Sequence, residues 1–376
     1  MVTGSRAEYG LLHSLMREIQ NEPSFDLHLF VTGMHLMPEF GSTYREIEKD
    51  GFQISEKIDL RSSGDTDLAV TRAMGNGLIG FAEAFQKLKP ELVVLLGDRY
   101  EILAAAQAAF LAKLPIAHLC GGDLTEGALD DSIRHCITKL SHLHFVSTES
   151  SAKRVRQLGE DPNQIFVVGN PGLDYLRTLP LLSRSELEKS LDFKLRERNI
   201  LVTYHPVTAS HEDSMLHLEE IFSALEGLDE SVGVIFTGAN ADSGGRALNQ
   251  KIETHVNTRP QMRFHNSLGQ TRYWSTVAQV DLVLGNSSSG LLEAPSFKKP
   301  TVDIGDRQKG RVRAQSVVHC EPRSSEIAQA ITKALALDCS NVVNPYGDGH
   351  ASERIVATLK KTHNYQKFIQ KKFFDL

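Results

Sequence analysis

The stretch Asp281 to Arg311, DLVLGNSSSGLLEAPSFKKPTVDIGDRQKGR, holds residues whose types and order suggest chemistry. An apolar run stops at Gly285-Asn286-Ser287-Ser288. A helical stretch then carries Glu293, and a second apolar run ends at Gly305-Asp306-Arg307. A strand that ends in small polar residues and turns into a helix leaves backbone N–H groups without partners. The helix dipole adds partial positive charge there, so the spot suits a phosphate. Asn286, Ser287 and Ser288 are the phosphate contacts this implies, and Arg307 and Arg311 add fixed charge to the same anion. Glu293, one to two turns into the helix, is placed to accept hydrogen bonds from ribose hydroxyls. Together these residues point to a nucleoside diphosphate.

The first half of the chain offers acid–base groups. Asp98 follows five apolar residues and precedes Arg99 and Glu101. A carboxylate at the mouth of a buried strand is partly desolvated, which suits it to proton transfer. The structural alternative is an N-cap for the helix starting near Tyr100. Asp130 and Asp131 open the stretch that carries Arg134 and His135. One is expected to cap that helix and the other to supply a second carboxylate. Two carboxyls with divergent pKa values can serve acid and base roles on one carbon. His205, before Pro206, can donate to a phosphate oxygen or protonate a leaving group. Arg6, after Gly4-Ser5, either reaches a phosphate or caps a neighbouring loop. His118, Cys120, His135, Cys136, His142 and His144 have no zinc spacing, so no metal is expected. Ser287 to Ser289 lack a G-x-S-x-G elbow, which favours phosphate contact over nucleophilic attack.

Such groups need rigid elements behind them. Leu92–Leu96 is a continuous apolar run of the kind a parallel sheet buries on both faces. Strand and helix patterns alternate from Phe25–Val31 through Ile165–Val168, then restart at Ile200–Thr203 and continue to Val317–His319. The expectation is an α/β protein with two doubly wound, Rossmann-like domains, residues 1–172 and 173–350, followed by a helix over 351–376. Ligands of such sheets bind beyond the carboxyl ends of the strands. The polar motifs sit at those ends, so the active site is expected in a cleft between two facing domains. Arg61–Asp65 and Asp242–Arg246 read as ordinary loops. The basic tail (Lys360, Lys361, Lys367, Lys371, Lys372) reads as a solvated face.

Bulk properties agree with this outline. A chain of 376 residues is long for one core. A net charge of -6 without a basic run excludes a general nucleic-acid binder. No stretch is long and apolar enough to span a bilayer. Four cysteines without a CxxC pair fit a reducing cytoplasm. Met1-Val2-Thr3 leaves only two or three strand residues before Gly4, which suggests a start further upstream.

The order of motifs resembles the UDP-N-acetylglucosamine 2-epimerases, in particular their hydrolysing branch, which feeds sialic acid synthesis. It spans essentially the whole chain: TGSRAEYGLL (3–12), VTGMHL (31–36), GDRYE (97–101), HLCGGD (118–123), DDSIRHCITKLSHLHF (130–145), HPVT (205–208), GNSSSGLLE (285–293), IGDRQKGRVR (304–313) and YGDG (346–349). The resemblance implies two domains of the GT-B type, a last helix that crosses back to the first domain, no cofactor, a UDP-sugar substrate and a homodimer or homotetramer. It implies Asp98 and Asp130 as catalytic carboxylates and Arg6 near the diphosphate. His205, Ser287, Ser288 and Arg307 would hold the diphosphate and Glu293 the ribose. The implied reaction removes the carbon-2 proton as UDP leaves, giving a 2-acetamidoglucal to which water adds. One departure stands out. Many members have His-Ile-Glu-Gly-Gly where this chain has His118-Leu119-Cys120-Gly121-Gly122. A thiol does not replace a carboxylate unless its surroundings lower its pKa. Asp123 or Glu126 is then the candidate substitute. The sugar is N-acetylglucosamine, or N,N'-diacetylbacillosamine on the legionaminic acid route. A GT-B glycosyltransferase and a nucleotide-sugar sensor are the alternatives from other classes.

Overall fold

A computed structural model of the chain describes residues 1–61, 64, 66–125, 129–206, 214–239, 245–362 and 364–376. Glu126, Ser62, Ser63, Asp65 and residues 242–244 lie outside them. The described residues form two compact units, Met1–Arg177 with Tyr346–Leu376, and Thr178–Pro345.

The first unit contains strands β1 (Val2–Thr3), β2 (Leu29–Thr32), β3 (Ile54–Ile58), β4 (Val93–Leu96), β5 (Ile116–Leu119), β6 (Leu143–Val146) and β7 (Ile165–Val167). Between them run helices α1 (Arg6–Asn21), α2 (Tyr44–Lys49), α3 (Asp67–Leu88), α4 (Tyr100–Leu111), α5 (Leu129–Leu140) and α6 (Glu149–Gln157). The strands hydrogen-bond in the orders β1-β2-β3 and β4-β5-β6-β7, each neighbour parallel. Side chains of β4 alternate between two cores, which is why its sequence is apolar throughout. Val93 and Leu95 pack with Phe81 and Phe85 of α3 and Ile102 of α4. Val94 and Leu96 pack with Leu12, Leu15 and Met16 of α1. Val2, Phe30 and Ile58 share the first of these cores, so both ladders back the same interior.

The second unit contains β8 (Arg198–Thr203), β9 (Val232–Thr237), β10 (Met262–His265), β11 (Leu282–Gly285), β12 (Thr301–Ile304) and β13 (Val317–Cys320). Its helices are α7 (Arg184–Leu191), α8 (Ser214–Glu226), α9 (Gly245–Val256), α10 (Gly269–Gln279), α11 (Ser289–Leu292) and α12 (Ser324–Leu335). The sheet order is β10-β9-β8-β11-β12-β13, all parallel. That is the doubly wound 3-2-1-4-5-6 arrangement, with its topological switch point between β8 and β11. Gly285 is required at that point. Its φ is +134°, and a Cβ there would lie 2.0 Å from the Thr203 carbonyl oxygen.

The chain returns to the first unit at Tyr346, and α13 (Ala351–Lys360) adds Ile355, Val356 and Leu359 to the core that holds Leu12 and Leu15. Asp174 accepts the N–H groups of Ala351 (2.9 Å) and Ser352 (2.5 Å) at the start of α13, and Asn170 N–H donates to Tyr346 O at 2.7 Å. These bonds carry the first unit on to Arg177, past the expected boundary at 172. The helix expected to continue to 375 stops at Lys360. Asn364 instead accepts the Gln366 N–H (3.1 Å) and opens a separate 3-10 turn over Tyr365–Phe368. Among the described residues no helix is long and apolar enough to cross a membrane.

Candidate active site

In the first unit, Gly97 (φ +98°) turns the chain out of β4 and presents Asp98. The Asp98 carboxylate pairs with the guanidinium of Arg134, whose side chain is only 7% exposed. Arg134 Nη1 also donates to the Asp123 carbonyl (2.6 Å) and Nη2 to Thr125 Oγ1 (3.0 Å), so one buried arginine ties β4, the loop after β5 and α5 together. Asp131 accepts the Thr125 N–H at 2.6 Å and holds that loop. Asp130, half-buried, has no ion pair of its own among the described residues. Burial, and then the charge of Asp98, raises its carboxyl above the usual range. The pair at 130–131 therefore splits into a loop anchor and a raised acid.

The residues after β5 are more constrained than the sequence suggests. Asp123 accepts from Ser151 Oγ (2.5 Å) and Ser147 Oγ (3.3 Å), so both of its oxygens serve the β6–α6 turn and not an open face. Cys120 takes a positive φ of +60° while its N–H donates to Phe145 O at 2.8 Å. Burial, reinforced by the charge of Asp123, pushes its thiol up to about 12. The surroundings thus act opposite to what an acid–base cysteine needs. His118 Nε2 donates to the Gly97 carbonyl (3.1 Å), and burial pushes the imidazole down to about 3, so it supports the Asp98 turn as a neutral ring. Arg6 is exposed at the first turn of α1, 3.3 Å from Glu46.

Two carboxyls escape the sequence reading. Glu8, in the first turn of α1, is buried, and Glu101, in the first turn of α4, is fully buried. Their only sequence signal is an acidic residue at the inward spacing of each helix, Glu8 one turn before Leu12 and Glu101 beside Ile102 and Ala105.

In the second unit, the carboxyl ends of β8 and β11 are stitched by one side chain. Asn286 Oδ1 accepts the His205 N–H (2.7 Å) and its Nδ2 donates to the His205 carbonyl (2.9 Å). Its own carbonyl accepts from Arg307 Nη1 (3.1 Å) and Gln308 Nε2 (2.9 Å) of the turn after β12. Asn286 is fully buried, and its side-chain amide holds His205 while its backbone carbonyl holds Arg307 and Gln308. Burial, then Arg307, pushes the His205 imidazole down to about 4, which leaves it a neutral hydrogen-bonding ring. Ser287 and Ser288 are half-buried at the head of α11. That helix is a single turn, Ser289–Leu292, with Glu293 as its C-cap, so the dipole behind the serines is shorter than expected. Glu293 Oε2 is buried without a hydrogen-bond partner among the described residues, and burial raises its carboxyl against the pull of Ser289 and Arg311. The Tyr273 hydroxyl of α10, which the sequence did not single out, is buried beside Glu293 and pushed up to about 12.

Among the described residues no group of three His, Cys, Asp or Glu side chains is arranged to hold a metal ion. What the geometry offers is a carboxylate paired with arginine beside a raised carboxyl in one unit. In the other unit lie serine hydroxyls, two arginines and a buried glutamate at a sheet switch point.

A family model described as UDP-N-acetylglucosamine 2-epimerase matches residues 17–360. The chain is 39% identical to GDP/UDP-N,N'-diacetylbacillosamine 2-epimerase (hydrolyzing) of Campylobacter jejuni, over 100% of this chain and 98% of that protein. It is 35% identical to UDP-N,N'-diacetylbacillosamine 2-epimerase (hydrolyzing) of Legionella pneumophila, over 98% of this chain and 97% of that one. Its fold is that of the UDP-GlcNAc 2-epimerase from Neisseria meningitidis, solved bound to UDP-GlcNAc. The TM-score is 0.81 over 96% of this chain and 99% of that one, at 19% identity. The architecture is α/β with the two Rossmann-like units of the GT-B type.

Proposed function

Because the chain belongs to the UDP-N-acetylglucosamine 2-epimerase family, we propose that it inverts carbon 2 of a UDP-linked 2-acetamido sugar and releases UDP to water. The observation that carries this reading is the pairing of Asp98, bound to Arg134, with Asp130, whose carboxyl is raised by burial and by Asp98. Inverting a carbon requires a proton taken from one face and returned to the other, and two carboxyls in unlike environments suit the two roles. One carboxylate takes the carbon-2 proton while the carbon-1 to oxygen bond to UDP breaks, leaving a 2-acetamidoglucal. Water then adds its oxygen to carbon 1 as a proton is delivered to the opposite face of carbon 2, and the free epimeric sugar leaves.

The second unit serves the leaving group in this scheme. Ser287, Ser288, Arg307 and Arg311 hold the diphosphate. Glu293 accepts the ribose hydroxyls, which would satisfy its lone buried oxygen. His205, neutral in the free protein, donates an N–H to the diphosphate, and the anion then draws its pKa upward. Two sugars fit the reading. The names of the two relatives above favour N,N'-diacetylbacillosamine, and the family model's description favours N-acetylglucosamine.

A proton NMR time course in D2O with each nucleotide sugar separately tests the proposal. Free UDP together with the 2-epimeric sugar carrying deuterium at carbon 2 is the expected result for one or both substrates. An epimerised nucleotide sugar that persists without UDP release overturns the hydrolytic reading. Inertness toward both overturns the enzyme reading and leaves the nucleotide-sugar sensor.

A further inference from the structure

Beneath the Asp98 turn lie the two buried carboxyls that the scheme above does not use. Glu8 Oε2 accepts the Gly4 N–H at 2.6 Å, while its Oε1 has no partner among the described residues. That oxygen stands 3.3 Å from where a Cβ on Gly97 would be, so it packs directly behind the residue preceding Asp98. Glu101 is wedged equally tightly. A Cβ on Gly4 would lie 2.8 Å from its Cγ, and one on Gly33 would lie 3.2 Å from its Oε1. Glu101 Oε1 accepts from Arg99 Nε at 2.7 Å, and its Oε2 is again without a partner. Neither carboxyl has room to turn toward water.

Charge counting then separates the four carboxyls. Two guanidiniums serve them, Arg134 on Asp98 and Arg99 on Glu101. Glu8 and Asp130 have no ion pair of their own among the described residues. A buried oxygen with no donor is costly as a carboxylate, and two carboxyls in contact cannot both stay charged cheaply. The neighbours of Glu8 offer little relief. Glu101 of α4 opposes its ionisation after burial itself, the Gly4 N–H and Arg99 favour it, and Asp98 adds a smaller opposition. Burial and Glu101 together push Glu8 up to about 8. His35, bonded to Thr3, and His118, bonded to Gly97, are pushed down to about 4 and about 3, so neither adds a cation at neutral pH.

We propose that Glu8 is a positioning residue for Asp98, acting as the neutral member of this cluster and bracing the Gly97 turn from below. While Glu8 keeps its proton, Arg134 pairs with Asp98 and Asp131 and Arg99 with Glu101, with no further charge among them, and Asp130 is the acid that titrates in the face open to substrate. Loss of that proton puts an uncompensated charge directly behind Asp98 and loosens the turn. Its catalytic consequence rests on the function proposed above, but the charge and the turn do not.

The test uses the full chain and the variants Glu8→Gln and Glu8→Ala. Without substrate, the Gly97 and Asp98 amide resonances of 15N-labelled protein are followed from pH 6 to 10. In wild type they are expected to move with a midpoint of about 8, and in Glu8→Gln they are not. With a nucleotide sugar, wild-type kcat is expected to fall above that midpoint. Glu8→Gln, an uncharged mimic, keeps kcat within about threefold at pH 7 and loses the alkaline fall, while Glu8→Ala loses about tenfold or more at every pH. Amides that do not titrate, or titrate equally in Glu8→Gln, overturn the proposal. So does an alkaline limb with a midpoint of about 8 that survives in Glu8→Gln. Absence of turnover by wild type on either sugar counts against the function and not against the brace, which the amide titration decides by itself.

Discussion

At the scale of single residues, the position after β5 decides how the proton chemistry is shared. Burial beside Asp123 holds the Cys120 thiol protonated, up at about 12. The thiolate is then absent at neutral pH, and both Asp123 oxygens bind Ser147 and Ser151. In the function proposed above the proton transfers are assigned to Asp98 and Asp130. Cys120→Ser is expected to hold kcat for UDP release within about threefold of wild type, with an unchanged pH profile. Asp130→Asn is expected to lower kcat by roughly 10²- to 10⁴-fold, the usual worth of a general acid or base. Because the Asp130 carboxyl is raised, its protonated form is lost as pH climbs through that raised value, so a limb it controls as the acid falls on the alkaline side, one it controls as the base falls on the acid side, and either vanishes in the Asn variant. Steady-state kinetics of both variants across pH checks this, and a Cys120→Ser enzyme reduced as far as Asp130→Asn would return the thiol to the mechanism.

At the scale of elements, the switch point of the second unit depends on one amide. Asn286 joins β8 to β11 through His205 and joins β11 to the turn after β12 through Arg307 and Gln308. Asn286→Ala leaves the buried His205 N–H and carbonyl without these bonds, a loss of about 1–3 kcal/mol in unfolding free energy. It also lets His205 drift, while Arg307 and Gln308 keep their bonds to the backbone carbonyl of residue 286, so UDP affinity measured by calorimetry is expected to drop through His205 alone. Retained affinity at reduced stability would make Asn286 a purely structural stitch. This element also shows what the sequence can and cannot say. The Gly-Asn-Ser-Ser run marks the strand end correctly, because a strand buried on both faces is continuous in apolar residues and its end is abrupt. It does not say which of the three side chains points into the fold, since that depends on Thr203 and His205, more than 80 positions away. Helix α3 is less legible still. Gly75, Gly77 and Gly80 within Asp67–Leu88 argue locally against a helix. Gly77 and Gly80 are tolerated because tertiary packing needs small residues there: a Cβ on Gly77 would lie 2.9 Å from Leu60 and 3.4 Å from Ala104 of α4, and one on Gly80 2.8 Å from Ile58, while Gly75 faces open space. Glu8 and Glu101 are invisible for the same reason, since an acidic residue in a first helical turn ordinarily faces water.

At the scale of the molecule, the last residues of the chain reach back to α5, the helix that carries Asp130. Read from composition, Lys371 belongs to a solvated basic face. In the fold its ammonium lies 2.6 Å from Glu160, a carboxylate only 2% exposed that also binds Lys139 (2.8 Å) and His144 (2.9 Å). Lys371 Nζ further donates to the carbonyls of Lys139 (2.8 Å) and Ser141 (2.5 Å), at the carboxyl end of α5, where a cation suits the helix dipole. Phe374 N–H fastens the tail to Gly159 O at 2.9 Å. The bonds from His144, Lys139 and Lys371 outweigh burial and hold the Glu160 carboxyl down at about 2. A carboxyl depressed in the folded state contributes stability that is present above its unfolded value near 4.5 and is lost as pH falls toward 2. Lys371→Met removes one of the three donors and the cap on α5. It is expected to lower unfolding free energy by roughly 1–3 kcal/mol at pH 7, and by less than half as much at pH 3, where the partner carboxyl is losing its folded-state advantage. Urea unfolding at the two pH values measures the difference, with Lys372→Met as the exposed control. An equal loss at both pH values would assign Lys371 to packing of its alkyl chain, and no loss at either would leave the tail a passenger on α5.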